Sequence, residues 1–335
     1  MTRLAVVLFN LGGPDRPEAV RPFLFNLFND KAIIGVPQPL RWLLATLISR
    51  RRAPVAVEIY RQLGGASPIR PNTEAQAAAL ERALGAAGEV KVFIAMRYWR
   101  PFSDEAAAAV KTFAPDDIVL LPLYPQFSTT TTASSLEQWA ASARRAGLTA
   151  STHAVCCYPA EEGFIEAMTA LIRPAYERAA TAGKPRLLFT AHGLPQRVVD
   201  RGDPYQKHVE ATAAAIVQRL GIAGLDSRIS YQSRVGPLEW LKPYTEEELS
   251  RAGAERVPLV VAPIAFVSEH SETLVELDIT YREEALKRGV PRYERVPTVG
   301  IHPAFITGLA RLVRMSLAQT SQVCGSATRC ALAVA

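Results

Sequence analysis

Two stretches of this chain place chemically capable side chains at informative spacings. In the first, the apolar run 187–190 stops at Ala191-His192-Gly193. Leu194-Pro195 follow, and Gly202-Asp203-Pro204 leads into a new helical segment. A histidine at the C-terminal end of a parallel strand stands where open α/β sheets place their ligands. Imidazole is also the side chain best suited to accept a proton near neutrality. The plainer alternative is a core histidine bonded to a backbone carbonyl. Gly193 permits close approach of backbone and ligand, and the prolines fix the loop around it. In the second stretch, Glu269, His270, Glu272, Glu276 and Asp278 follow the strand-like run 257–261. Glu272 and Glu276 are four apart and share one helix face, where like charges destabilise each other. A cation is expected to compensate. Hard carboxylate oxygens with one imidazole suit a loosely held divalent ion such as Fe(II). The plainer alternative is a solvated acidic face.

Such groups act together only if the elements that carry them converge. Short apolar runs bounded by turn residues occur at 4–9, 90–96, 118–121, 187–190, 228–231 and 257–261. Ala-rich segments of helical length and period lie between them, among them 73–84, 103–113 and 206–220. Strands alternating with helices predict parallel sheets built from βαβ units. The runs lack polar alternation, as expected when helices cover both sheet faces. The predicted fold is therefore α/β, with two Rossmann-like, doubly wound halves over 1–150 and 151–310 and a C-terminal stretch over 311–335. A helix over 303–318 is expected to pack back on the first half. If both halves use their strand ends, His192 and the acidic segment 269–276 face one cleft. Residues 33–52 differ from the rest, with two prolines, an apolar segment around Trp42 and Arg50-Arg51-Arg52. An amphipathic lip touching lipid or a greasy ligand and an ordinary packed surface helix both fit.

Composition narrows the function. The chain has 335 residues, 49% hydrophobic and 21% charged, with a formal net charge of +6. That composition is ordinary for a soluble globular protein, and the length suits two domains of typical size or one large α/β unit. Outside the arginine triplet the basic residues are scattered, which argues against a nucleic-acid stripe. No apolar run reaches the ~18 residues that span a bilayer. No signal-like segment precedes residues 4–9, so a cytoplasmic location is expected. The glycines of Gly12-Gly13-Pro14 match neither GxGxxG nor GxxxxGK[ST], so a nucleotide is not expected. The four cysteines Cys156, Cys157, Cys324 and Cys330 are too few for a disulfide framework.

AHGLPQRVVDRGDPY, starting at Ala191, resembles the signature of the ferrochelatases, enzymes that insert ferrous iron into a porphyrin. Six more matches run in the same order: FNLGGP, YRQLGGASPI, MRYWRP, LYPQFSTTTTASS, YQSRVGPLEWLKP and APIAFVSEHSETLVELD. Together they cover roughly residues 4–315. The resemblance implies a porphyrin cleft between the halves, with a lip near residues 33–70. It implies Fe(II) and protoporphyrin IX as substrates. His192 would be the proton acceptor or a metal contact, working with Glu272. Glu276 would be the next member of an acidic track. The track's further position is Thr280 here, so either the track is shortened or another acid, such as Asp278 or Glu283, stands in. Asn10, Tyr60, Ser67, Arg97, Tyr98, Tyr124, Ser128, Tyr205 and Trp240 match porphyrin-binding positions. Arg97 would clamp a carboxylate, unless it forms a structural ion pair. Some ferrochelatases hold a [2Fe–2S] cluster on one internal cysteine and three C-terminal ones. Here the candidate ligands are Cys156, Cys157, Cys324 and Cys330, with Thr129 at another familiar internal position. Peripheral contact with the inner membrane and a monomer or homodimer complete these expectations. A chelatase for cobalt or another metal, and a non-catalytic porphyrin or haem carrier, are the rivals.

Overall fold

The computed structural model describes residues 2–85 and 88–318, and the backbone of Val323–Cys324. The chain divides into two units, Met1–Cys157 with Leu309–Ala335, and Tyr158–Gly308.

The first unit is built on β1 (Arg3–Asn10), β2 (Glu89–Met96), β3 (Asp117–Pro122) and β4 (Ser151–Cys157), in the order β2-β1-β3-β4. All pairings are parallel. β1 is central and buried from Ala5 to Asn10, which is why its sequence is apolar on both faces. Its helices are α1 (Val20–Phe28), α2 (Gln38–Arg61), α3 (Ile69–Leu84), α4 (Ser103–Phe113) and α5 (Ser134–Ala146). Val7 and Phe9 pack with Ala106, Ala107 and Val110 of α4 and with Trp139 of α5. The rings of Phe9 and Trp139 meet edge to face at 6.0 Å. The chain passes from β1 to β2 on one side, then to β3 on the other, so the winding reverses between β1 and β3. A two-residue strand, Val323–Cys324, pairs in parallel with β4.

The second unit repeats the scheme with β5 (Arg186–His192), β6 (Asp226–Gln232), β7 (Leu259–Pro263) and β8 (Tyr293–Arg295), in the order β6-β5-β7-β8. Its pairings are parallel too. The helices are α6 (Glu162–Ala180), α7 (Gln196–Asp200), α8 (Tyr205–Leu220), α9 (Thr245–Ala254) and α10 (Tyr281–Lys287). A nine-residue π-helical segment, Glu272–Thr280, runs directly into α10. Leu188, Val261, Leu277, Tyr281 and Ala285 share one buried cluster, so that segment is fixed to the sheet by its apolar face. Here the winding reverses between β5 and β7. In open α/β sheets the crevice outside the carboxyl ends of two such strands is the ligand position.

The last helix, α11 (Pro303–Ala318), starts in the second unit and ends in the first. Its Arg314 Nη2 donates to the Ala83 carbonyl at 2.8 Å, satisfying an acceptor in the last turn of α3. Residues 33–52 turn out to be part of a longer stretch, since α2 continues through Pro54 to Arg61. Among the described residues no helix is long and apolar enough to cross a membrane.

Candidate functional site

β5 and β7 run side by side, with Thr190 opposite Pro263. His192 is the last residue of β5, and the chain leaving β7 turns through 264–271 into the π-helical segment that begins at Glu272. The two groups singled out in the sequence meet at this switch point. His192 Nδ1 lies 2.9 Å from Glu272 Oε2. With the carboxylate ionised, Nδ1 carries the hydrogen and Nε2 keeps its lone pair for another proton. His192 retains 38% of its side-chain surface and Glu272 24%, so the pair is accessible to a ligand.

The surroundings hold the imidazole in place. Tyr205 Oη donates to the His192 carbonyl at 3.0 Å. The Trp240 ring stands edge to face with His192 at 6.5 Å. A Cβ at Gly193 would lie 3.1 Å from the Gln232 carbonyl and 3.2 Å from Trp240 Cε3. The close approach that a glycine permits here is therefore made by the protein's own Trp240 and β6.

The two carboxylates share one hydroxyl. Ser233 Oγ lies 2.6 Å from Glu276 Oε2 and 3.4 Å from Glu272 Oε2. The Ser233 N–H donates to Glu276 Oε1 at 3.1 Å, and Tyr281 Oη donates to the same oxygen at 3.1 Å. His270 Nε2 lies 4.0 Å from Glu272 Oε2. Burial works against a charged His192, but the Glu272 carboxylate outweighs it and, with Glu276 adding, holds the pKa above its ordinary value. Burial also opposes an ionised Glu272, yet His192, His270 and the Ser233 hydroxyl hold its carboxyl well below the usual carboxylate range. Glu276 has burial and the neighbouring Glu272 charge against it, and its pKa is pushed up to about 6. Paired carboxylates with separated proton affinities are how sites assign one group to hold charge and the other to take protons.

Beside the acidic pair stand the His192 imidazole and the hydroxyls of Ser233 and Tyr281. Among the described residues, no group of three or more His, Cys, Asp or Glu side chains is arranged to hold a metal ion. The substitutes considered for Thr280 are engaged elsewhere. Asp278 pairs with Arg282 at 2.6 Å and with Arg295 at 3.1 Å. Glu283 is exposed and pairs with Lys287 at 3.5 Å. Arg295 also binds Glu269 at 2.9 Å, so one guanidinium ties residues on both sides of Glu272 and Glu276.

The sequence candidates of the first unit gather at its strand ends. Asn10 closes β1, and its Nδ2 donates to Thr73 Oγ1 at 3.0 Å. Gly12, at φ +84°, and Gly13 follow. A Cβ on Gly13 would sit 2.6 Å from the Ser67 side chain, so the glycine lets Ser67 close on the turn. Arg97 and Tyr98 follow β2 and converge on Asp30. Arg97 Nη2 and Tyr98 Oη each lie 2.7 Å from Asp30 Oδ2. This is the structural ion pair weighed for Arg97. Tyr60 is buried among Val20, Phe23, Leu24 and Trp99. Tyr124 and Ser128 follow β3, and Ser128 Oγ accepts the Thr130 N–H at 3.1 Å.

Cys156 and Cys157 are buried beside Phe127 at the end of β4, and Cys157 is in register with Cys324. Cys330 and the side chain of Cys324 lie outside the described residues. Ser233 and Tyr281 escaped the sequence reading, and His270 entered it only as part of the acidic stretch. A lone serine has no spacing signature. His270, two residues before Glu272, was the one readable signal.

The ferrochelatase family model matches residues 3–317 of this chain. A ferrochelatase of Caulobacter vibrioides is 54% identical over 330 residues, covering 96% of this chain and 94% of its own. One from Phenylobacterium zucineum is 57% identical over 311 residues, covering 92% and 90%. Among solved structures, SirB from Bacillus subtilis with Fe3+ superposes with a TM-score of 0.55 at 12% identity, covering 94% of this chain and 96% of SirB. The sirohydrochlorin chelatase SirB from Bacillus subtilis subspecies spizizenii in complex with cobalt gives 0.54 at 12%, covering 94% of this chain and 95% of its own. At that identity the likeness is one of fold alone.

Proposed function

The chain belongs to the ferrochelatase family, whose enzymes insert iron into protoporphyrin to make haem, and we propose that the His192–Glu272 pair carries that reaction here. A free-base porphyrin holds two N–H protons at its centre, and Fe(II) replaces both. Charge balances when two protons leave for each Fe(II) bound. The reaction needs a neutral base able to take a proton from a weakly acidic N–H, and an anion that stabilises the cation so formed. His192 Nε2 is that base, and Glu272, 2.9 Å from Nδ1, is that anion. This contact is the observation that carries the reading. The open edge of the same pair makes His192 and Glu272 the first protein contacts for the incoming iron. Glu276 takes protons passed outward. Trp240 and Tyr205 flank His192, and Asn10, Tyr60, Ser67, Tyr98, Tyr124 and Ser128 contribute contacts to the ring and its carboxylate arms. Arg97 acts through Asp30 and Tyr98 rather than as a direct clamp.

Two further assignments rest on separate observations. The exposed residues Leu40, Trp42, Leu43 and Leu47 of α2, each 47–55% exposed, beside Arg50-Arg51-Arg52, support peripheral docking on an anionic membrane surface. The register of Cys157 with Cys324 brings one internal and one C-terminal cysteine onto neighbouring strands, which favours a [2Fe–2S] cluster whose four thiolates would be those of Cys156, Cys157, Cys324 and Cys330. When bound, the cluster would supply redox-sensitive cross-linking; no step of insertion passes through it.

Anaerobic Fe(II) insertion into protoporphyrin IX, followed by loss of free-base fluorescence, tests the reading. His192→Ala should lower turnover by about 100-fold or more while leaving porphyrin binding largely intact. Wild-type turnover in that variant removes His192 from the mechanism. Tight binding without turnover in the wild type points to a carrier, and preferential turnover with Co(II) points to a chelatase for another metal.

A further inference from the structure

We propose that the Ser233 hydroxyl is a proton bridge between Glu272 and Glu276, positioning the two acids so that protons taken up at His192 leave the site. This rests on the His192–Glu272 reading above. Ser233 directly follows β6, whose last residue, Gln232, is in register with His192. Its Oγ is within 3.4 Å of Glu272 Oε2 and 2.6 Å of Glu276 Oε2, and Gln232 Nε2 lies 3.4 Å from the same Oγ. Two ionised carboxylates cannot hydrogen-bond each other. When one of the two carries a proton, a hydroxyl can accept from it and donate to the ionised one, so a single serine connects the two acids.

The backbone adds a second, independent observation. Ser233 has φ +64°, in the left-handed region that side chains other than glycine's enter at a cost. A glycine would adopt that geometry freely. It would also retain the N–H donated to Glu276 Oε1. What the serine adds is the hydroxyl, and strained residues of this kind concentrate at functional sites.

The step balances without a co-reactant. The Nδ1–H bond of the His192 imidazolium breaks as a Glu272 O–H bond forms. That O–H then breaks toward Ser233 Oγ while the Ser233 proton passes to Glu276. One proton has moved from Glu272 to Glu276, the serine is regenerated, and no electron is transferred. Two protons leave the porphyrin per iron inserted; a second passage requires Glu276 to release its proton to water and the remaining His192 hydrogen to return from Nε2 to Nδ1. Glu276 is fixed from its other side by Tyr281 Oη.

Ser233→Gly isolates the hydroxyl, because it relieves the backbone strain and keeps the N–H. The variant should match or exceed wild type in Tm and keep its KM for protoporphyrin IX. Its kcat should fall about 10- to 100-fold, part of the range that general acid–base groups contribute, with a changed solvent deuterium isotope effect on kcat. Ser233→Ala should lose kcat similarly. His192→Ala runs in the same assay as the reference. Wild-type kcat in Ser233→Gly with an inactive His192→Ala overturns the bridge alone. A higher KM with unchanged kcat also overturns it, and assigns the hydroxyl to substrate binding. An active His192→Ala removes the reading on which the bridge rests.

Discussion

Glu276 shares the Ser233 hydroxyl with an acid that stays ionised, and its own charge is therefore pH-sensitive in its effect on the fold. Its pKa is raised from 4.5 to about 6, so between those values the folded chain holds a proton that the unfolded chain has lost. Stability from Glu276 is thus greatest below pH 4.5 and declines as pH rises through about 6. Glu272 has the opposite sign: its lowered pKa contributes stability above its ordinary value that is lost as pH falls through the folded one. The raised pKa of His192 contributes below 6.5 and is lost as pH climbs through its folded value. Glu276→Gln removes the first contribution and reduces that of His192, whose raised pKa Glu276 helps to maintain. Urea unfolding of the metal-free variant should show it about 1–2 kcal/mol more stable than wild type near pH 8, and near parity around pH 4.5. An equal difference at both pH values would show that the Glu276 charge is not what is being relieved. At this scale the sequence was readable where a residue type coincided with a strand end, as at His192, or with a spacing, as at Glu272 and Glu276. Ser233 and Tyr281 were not readable, because a hydroxyl becomes significant only through what lies within three ångströms of it.

Among the elements, α2 leaves its apolar stripe to solvent. Leu40, Leu43 and Leu47 fall at i, i+3 and i+7, on one face, and Arg50 and Arg51 follow a turn later. Replacing Leu43 and Leu47 with aspartate should lower partitioning onto anionic vesicles by about 100-fold or more, since each leucine contributes about 1.5–3 kcal/mol when buried. Wild-type should float with anionic vesicles and poorly with neutral ones. Co-flotation of the double variant at the wild-type level would sink the docking role. Of the six strands read from sequence, β1, β3, β5 and β7 carry a continuous apolar run, whereas β2 is interrupted by Lys91 and β6 by Arg228 and Ser230. β4 opens Ser151-Thr152-His153 and β8 has only three residues, so neither carries that signal. The π-helical winding of Glu272–Thr280 was also invisible, because its apolar positions satisfy a helical reading equally well.

For the whole molecule, the alternation of strand and helix was enough to read two doubly wound sheets. It could not show that the first sheet is extended by residues near 323, since a two-residue strand has no period. The proposed cluster draws on that pairing. The full chain purified without oxygen should show visible absorbance and acid-labile sulfide, and a chain stopped after Ala318 should show neither. A colourless full-length protein free of sulfide would exclude the cluster.

The place of Val323–Cys324 beside β4 has a consequence for how the protein is made. Everything else in the first sheet has been synthesised by Cys157, whereas the partner of β4's outer edge is separated from it by residues 158–322. At ~5–20 residues per second, a nascent chain would display that edge for on the order of 10–30 s before its partner emerges. Unpaired strand edges recruit other chains, so β4 is exposed to misassembly during translation in a way that ends once its late partner arrives.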